Sequence, residues 1–144
     1  MNVLERVALL LLVAVAVAVV VALAGWVARR RLRTLQEVSP DTLLRSLAVE
    51  PDGRPIVVAF SAPGCAVCRT AQRPALQALQ RTSSHDPRVI SIDLSQQPAA
   101  ASTFGVLTVP STVVLTPRGR VLTANHGFAP ADLLLEQVNL AVKN

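Results

Sequence analysis

The sequence predicts an α/β domain with a mixed β-sheet flanked by helices on both faces, preceded by one N-terminal transmembrane helix. Two observations support this prediction. Residues 7–28 form an apolar run without a charged residue, and the rest of the chain alternates short β-rich runs with segments of helical periodicity. A chain of 144 residues has room for one such domain beside the helix.

The first element is the apolar run VALLLLVAVAVAVVVALAGWVA, residues 7–28. As a helix it spans about 33 Å, enough to cross the hydrocarbon core of a bilayer. A cleaved signal peptide is the alternative, because Ala22-Leu23-Ala24 resembles a small-x-small cleavage site. The length of the run and the weakly basic start MNVLER favour an uncleaved anchor after a short tail, residues 1–6.

Positive charge is concentrated beside this run. Residues 1–33 contain five arginines and one glutamate, whereas residues 34–144 contain nine basic and eight acidic side chains. The cluster RRRLR opens a basic juxtamembrane stalk, residues 29–38, that is expected to face anionic lipid and to place the following domain in the cytoplasm. The nearly neutral remainder lacks the basic stripe and the aromatics of a nucleic-acid surface, so we expect no nucleic-acid partner.

The domain, residues 39–144, opens with a predicted helix. Ser39 is a good N-cap, Pro40 suits the first turn, and Leu43, Leu44 and Leu47 lie on one face. The run IVVAF, residues 56–60, predicts a strand buried on both faces. A helix is expected from Cys65 to about Arg81, with a kink at Pro74.

A second strand, RVISIDL, is predicted at residues 88–94, followed by a Pro- and Ala-rich helix that ends near Phe104. The segments STVVLT and RVLTA flank the turn residues PRG and predict an antiparallel hairpin at residues 111–124. A last helix is predicted from Ala129 to Val142, with Pro130 near its start. Its residues available for burial are Leu133, Leu134, Val138 and Leu140.

Cys65 and Cys68 are the only cysteines of the chain. Zinc needs four ligands, and the two histidines, His85 and His126, show no paired spacing, so no metal is expected. A structural disulfide over so short a loop would stabilise the fold little. The spacing favours a redox pair, because a helix that starts at Cys65 stabilises its thiolate and presents Cys68 one turn later.

Four separated features resemble the thioredoxin superfamily: FSAPGCAVC after a buried strand, then SIDL, FGVLTVPSTVVL, and the PRGR hairpin with a later Gly127. The resemblance implies a thioredoxin-like fold in which Cys65 attacks as the thiolate and Cys68 is the resolving thiol. It also implies a cis peptide bond at Val109-Pro110, with the backbone of Val109 facing the substrate peptide. Gly64, Ala66 and Val67 are the further expected substrate contacts.

The sequence departs from the family's pattern around this motif. Gly64 stands where the family usually has Trp, and Ala66-Val67 replaces the Gly-Pro of thioredoxins. Ala59 occupies the position of a buried Asp that accepts the proton of the resolving thiol. Pro74 lies one residue later than the family's helix proline.

These features predict a thiol-disulfide oxidoreductase of the disulfide reductase type, anchored by a single pass in the cell membrane. Its partners would be protein thiol or disulfide substrates, a thiol electron donor and the lipid bilayer. No metal or organic cofactor is expected besides the redox-active Cys65-Cys68 disulfide. Two alternatives remain: a peptide-binding module with little turnover, and an outward-facing protein of the cytochrome maturation type.

Overall fold

A computed structural model describes residues 2–144 and divides the chain into two compact units between Thr34 and Leu35. Helix α1 runs over Val3–Glu37. Its residues up to Thr34 form the first unit, and its last three residues belong to the second unit. Its apolar part has a mean hydropathy of 3.3, lies fully exposed, and is long and apolar enough to cross a membrane, a property that N-terminal signal sequences share.

Helix α1 extends beyond the predicted span at both ends. It already begins at Val3, so the predicted tail is helical from that residue, and Met1 lies outside the described residues. It then continues through the arginine cluster and most of the predicted stalk to Glu37. Arginine and glutamine are good helix formers, so the polar sequence after the apolar run gives no stop signal before Ser39.

The second unit is an α/β domain. Its elements in chain order are α2 (Pro40–Ser46), β1 (Ile56–Ser61), a π-helix (Cys68–Gln72), α3 (Arg73–Thr82), β2 (Arg88–Asp93), α4 (Pro98–Thr103), β3 (Ser111–Leu115), β4 (Val121–His126) and α5 (Ala131–Lys143).

The sheet has the strand order β2-β1-β3-β4. Strand β1 pairs parallel with β2 and antiparallel with β3, and β3 pairs antiparallel with β4. The predicted mixed sheet and the predicted hairpin are therefore confirmed. The two central strands are the most apolar because helices cover both of their faces.

Side chains that alternate along β1 form two cores. On one face, Val57 and Ala59 join the hydrophobic cluster of α3 and α5. On the other face, Phe60 packs against Phe104 just after α4, with ring centroids 5.5 Å apart. The sheet is thus flanked by helices on both sides, as the sequence predicts.

Two local predictions are confirmed in detail. The Ser39 side chain accepts a hydrogen bond from the backbone N–H of Thr42 at the start of α2. In the β3–β4 turn, the backbone N–H of Gly119 donates to the carbonyl of Thr116 over 2.8 Å. Gly119 has a φ of 79°, a conformation that favours glycine.

The prediction for the last helix was wrong in part. Helix α5 begins at Ala131, with Pro130 as its N-cap residue, and buries Leu134, Val138 and Ala141. Leu133 and Leu140 are exposed instead. Because Leu133 and Leu134 are adjacent, only one of them can face the sheet, and the choice depends on how the helix packs.

The end of α1 is tied to the sheet within the second unit. Leu35 is buried. The side-chain amide of Gln36 donates to the carbonyls of Val121 and Leu122, over 3.4 and 3.3 Å. The second unit therefore includes four residues that precede the predicted domain start at Ser39.

Candidate redox site

Cys65 lies at the end of the turn that follows β1. Its backbone N–H donates to the carbonyl of Ala62 over 3.0 Å, and the helical residues begin at Ala66. The helix therefore starts one residue later than predicted, and Cys65 is its N-cap residue. Its Sγ accepts the backbone N–H of Cys68 at 3.1 Å, as an N-cap side chain does.

The two cysteines form a disulfide with an S–S distance of 2.08 Å and Cα atoms 5.3 Å apart. Their surroundings differ. Cys68 is only 7% exposed, whereas Cys65 is partly accessible. An approaching partner can therefore reach Cys65 more readily than Cys68.

The helix that carries the disulfide does not continue as a regular α-helix. Residues Cys68–Gln72 form a π-helix, in which the backbone N–H of Arg73 donates to the carbonyl of Cys68 five residues earlier. Pro74 has no N–H to donate, so the wide turn lies directly before it. This turn accommodates one extra residue and gives the physical reason why Pro74 lies one residue later than in the family pattern.

The turn before the disulfide is fixed by a side chain of the helix. The guanidinium of Arg69 donates to the carbonyl of Pro63 over 2.7 Å. Gly64 is exposed, and a Cβ on it would meet no atom within 4 Å. Ala66 and Val67, the first two helical residues, are exposed beside it.

The Val109-Pro110 segment lies at the same end of the sheet. Its peptide bond is cis, and β3 begins at the next residue. Ser111 is the register partner of Phe60, near the end of β1, so the segments that carry Pro110 and Cys65 leave the sheet side by side. Five of the expected site residues, Gly64, Cys65, Ala66, Val67 and Cys68, are thus carried by the segment beside Val109-Pro110.

A third segment, residues 127–130, connects the other two. The backbone N–H of Gly127 donates to the carbonyl of Pro110 over 2.8 Å. The side chain of Gln72 bonds to the backbone of Ala129 twice, accepting its N–H at 2.9 Å and donating to its carbonyl at 3.0 Å. Sequence reasoning did not find Gln72. The displaced Pro74 was its only signal.

We call the helical residues 66–82 the disulfide helix. A cleft of about 180 Å³ lies beside it. Ala59, Cys68, Gln72 and Asp93 are among its lining residues. Hydrogen bonds from the hydroxyl and the backbone N–H of Ser95 hold the pKa of Asp93 below its ordinary value. The cleft therefore contains an ionised carboxylate and, at Ala59, no acid.

Within residues 2–144, no three His, Cys, Asp or Glu side chains are grouped so as to hold a metal ion. His126 is exposed and His85 is partly buried in the loop before β2.

Comparisons with known proteins agree with this geometry. The family model described as Thioredoxin matches residues 41–139. A thioredoxin of Bacillus subtilis is 28% identical over 95 residues, which cover 66% of this chain and 89% of the relative. A mutant thioredoxin from Halobacterium salinarum NRC-1 has a TM-score of 0.57 at 25% identity, over 63% of this chain and 77% of that one.

Chloroplastic thioredoxin z has a TM-score of 0.59 at 20% identity, over 74% of this chain and 93% of its own, and shows the shared fold alone. The family match covers well over half of the 144 residues and includes both cysteines and the Val109-Pro110 bond. From this match, the mixed sheet and the Cys65–Cys68 disulfide, we conclude that the chain belongs to the thioredoxin family.

Proposed function

We propose that this chain is a membrane-anchored thiol-disulfide oxidoreductase that reduces disulfides of protein substrates through Cys65 and Cys68. The observation that carries the proposal is the asymmetric pair on a thioredoxin fold. Cys65 is partly accessible at a helix N-terminus and its sulfur accepts a backbone N–H, whereas Cys68 is buried. Both the helix dipole and that hydrogen bond favour the Cys65 thiolate.

The reaction begins with the reduced pair. The Cys65 thiolate attacks one sulfur of a substrate disulfide, whose S–S bond breaks as a mixed disulfide forms and a substrate thiolate leaves. Cys68 then loses its proton and attacks the Sγ of Cys65, which releases the second substrate thiolate and restores the Cys65–Cys68 disulfide. Two electrons pass from the pair to the substrate, and a thiol electron donor must return them.

The surface around the disulfide favours protein substrates. Val67, Leu107 and Phe128 are large apolar side chains that stay exposed in the three segments that carry or flank the site. Exposed apolar side chains around a site suit contact with the apolar side chains of a protein substrate. An extended substrate peptide can contact them while its backbone pairs with Val109, whose role as a backbone contact we propose from the family resemblance.

Trapping tests the reaction. With Cys68→Ser, the first step proceeds and the second cannot, so we expect a stable mixed disulfide with a disulfide-bonded protein such as insulin. It should appear as a reductant-sensitive band of higher mass on a gel. The matched control Cys65→Ser should trap nothing, since the remaining thiol is buried. Failure of Cys68→Ser to trap any substrate would refute the enzyme and leave the peptide-binding module as the better proposal.

That second candidate has specific observations in its favour. Ala59 supplies no acid to the cleft beside Cys68, and Gly64 supplies no aromatic contact. A binding module would retain peptide affinity in a double variant, Cys65→Ser with Cys68→Ser, without any turnover in the unaltered chain. Peptide binding measured by calorimetry beside the trapping assay distinguishes the two.

We further propose that helix α1 anchors the domain in the cell membrane by a single pass, with the domain in the cytoplasm. In the helix, the guanidinium of Arg30 lies over the ring of Trp26, 5.2 Å from its centroid, as expected of an interfacial pair. The arginines on this part of the helix suit anionic lipid on the cytoplasmic leaflet. Resistance of the full chain to alkaline extraction from membranes tests the anchor.

The side of the membrane is tested by labelling. Cys65 and Cys68 are the only cysteines of the chain, so a membrane-impermeant maleimide added after mild reduction reports on the domain alone. We expect labelling only after the cells are opened. Rapid labelling of intact, mildly reduced cells would refute the cytoplasmic orientation and support the outward-facing alternative, in which the redox state depends on a dedicated electron supply.

A further inference from the structure

We propose that Gln72 is a positioning residue that sets the spacing between the disulfide helix and the Pro110 segment, and thereby favours extended peptide substrates over small disulfides. The inference rests on the proposed oxidoreductase function and concerns how the same site selects its substrates.

Gln72 is a buried polar side chain. It is 3% exposed and is the last residue of the π-helix that begins at Cys68. Its amide satisfies both backbone groups of the fully buried Ala129, with distances of 2.9 and 3.0 Å. A side-chain amide used in this way replaces a strand partner, and loss of either bond would leave a buried backbone group unpaired.

The bonded segment also holds the Pro110 region. Gly127, two residues before Ala129, donates its backbone N–H to the carbonyl of Pro110 over 2.8 Å. The disulfide helix and the Val109-Pro110 bond are therefore fixed to one short segment, residues 127–130. Gln72 is the residue through which the disulfide helix is bonded to this segment.

The π-helix explains how a glutamine reaches this position. One inserted residue advances the phase of a helix by about 100°. The wide turn absorbs that change before α3 begins, so Ala75, Leu76 and Leu79 remain buried. Gln72 is directed inward within the turn itself.

The spacing matters for one class of substrate. An extended peptide must place its disulfide at Cys65 and its backbone at Val109 at the same time. A small aromatic disulfide needs only Cys65. Displacement of segment 127–130 should therefore reduce the peptide reaction more than the reaction with the small disulfide, because productive geometry is sensitive to small displacements.

The test compares two substitutions in the full chain in detergent micelles. Gln72→Met removes both bonds to Ala129 at nearly constant side-chain length. Gln137→Met is the matched control, because Gln137 forms a similar reciprocal amide pair with Asn125, at 2.9 and 2.8 Å, between α5 and β4. For each variant, the second-order rate constant of the reduced protein in a single turnover is measured with insulin and with dithiobis-nitrobenzoate, at a temperature where both variants are folded.

We expect Gln72→Met to lower the ratio of the insulin rate to the small-disulfide rate by about tenfold, the effect of losing one or two hydrogen bonds. Gln137→Met should change that ratio by less than about twofold. An unchanged ratio in Gln72→Met, or an equal change in both variants, would overturn the positioning role while the oxidoreductase stands. If the unaltered chain reacted with neither insulin nor dithiobis-nitrobenzoate, the proposed oxidoreductase function would be overturned and this inference with it.

A second variant keeps the test decisive if Gln72→Met does not fold. In Gln72→Glu, the protonated side chain can both donate and accept at Ala129, whereas the ionised form can only accept. The ratio of the insulin rate to the small-disulfide rate should therefore fall as this carboxyl ionises. The charged residues that line the same cleft are Arg69, Arg73 and Asp93. The unaltered chain should show a constant ratio, and a pH-independent ratio in Gln72→Glu would refute the role.

Discussion

The proton of Cys68 has no strong acceptor among the strand residues that line the cleft beside it. Ala59 on β1 and its register partner Ser91 on β2 both line the cleft beside Cys68, and neither ionises near neutral pH. Asp93 lines the same cleft, but its lowered pKa means that it holds a proton weakly. In the proposed reaction the proton of Cys68 must then pass to water, which is a slower acceptor than a positioned base.

A carboxyl placed in this cleft should accelerate the second step. We predict that Ala59→Asp raises the rate at which Cys68 resolves a mixed disulfide by about tenfold or more, since burial raises the pKa of the new carboxyl towards neutrality. Quenched-flow measurement of substrate release from the mixed disulfide checks this. An unchanged rate in a folded variant would show that proton transfer does not limit resolution.

The same substitution should carry a cost in stability of about 1 to 3 kcal/mol, with a defined pH dependence. Because the pKa is raised in the folded state, the part of the loss that comes from ionisation is absent below the unfolded pKa of about 3.9 and is complete once the pH has risen through the folded value. Urea unfolding of Ala59→Asp and the unaltered chain at several pH values measures this difference.

Asp52 provides the opposite case on the surface. Its carboxylate accepts hydrogen bonds from the side chain and the backbone N–H of Arg54, which hold its pKa below the ordinary value. Its contribution to stability is therefore present above the unfolded pKa of about 3.9 and is lost as the pH falls through the lower folded pKa. We predict a flatter acid limb of the stability profile in Asp52→Asn. Arg54→Gln should have a similar effect, and an unaltered acid limb in both variants would contradict the assignment.

Among the elements, the β3–β4 hairpin depends on how closely its turn approaches α2. A Cβ on Gly119 would lie 2.7 Å from the Cδ1 of Leu44, which is itself buried. Gly53, with a φ of 84°, has no atom within 4 Å of its Cβ position. The two glycines therefore share the same backbone conformation but differ in the space around them.

These glycines allow strain and overpacking to be separated. We predict that Gly53→Ala lowers the free energy of unfolding by about 1 to 2 kcal/mol through its positive φ alone. Gly119→Ala should cost about 1 to 3 kcal/mol more, because Leu44 must move. Urea denaturation of both variants measures the difference. Equal losses in the free energy of unfolding would show that Leu44 on α2 moves aside at no energetic cost.

The outcome for the disulfide helix shows what local pattern can and cannot predict. The cap at Ser39 and the turn at Gly119 were predicted correctly because each depends on residues within five positions. The π-helix was not predicted, because Gln72 is held by Ala129, 57 residues away. Similarly, Cys65 and Val109 follow from motif and resemblance, while the cleft beside Ala59 depends on the packing of β1 against the helix.

At the scale of the molecule, the domain needs residues from the end of α1. Leu35 is 6% exposed and reaches to 3.9 Å from the Cβ position of Gly105. Both residues belong to the second unit, so this contact is part of the folded domain. The region after the apolar run therefore serves as more than a linker.

We predict that a chain starting at Val38 is less stable than one starting at Leu35 by about 1.5 to 3 kcal/mol, the value of burying a leucine side chain. Thermal unfolding of the two soluble chains measures this difference. Leu35→Ala in the longer chain should reproduce most of the loss. If the two chains unfolded at the same temperature, Leu35 would be dispensable to the domain.

Gln36 has a consequence for self-association. Strand β4 is at the edge of the sheet, and an open edge can pair with the same edge of a neighbouring copy. The Gln36 amide occupies two carbonyls at the start of this strand. If helix α1 anchors the chain in a membrane as we propose, neighbouring copies meet in two dimensions and at high local density, and the Gln36 amide then hinders edge-to-edge pairing at the start of β4.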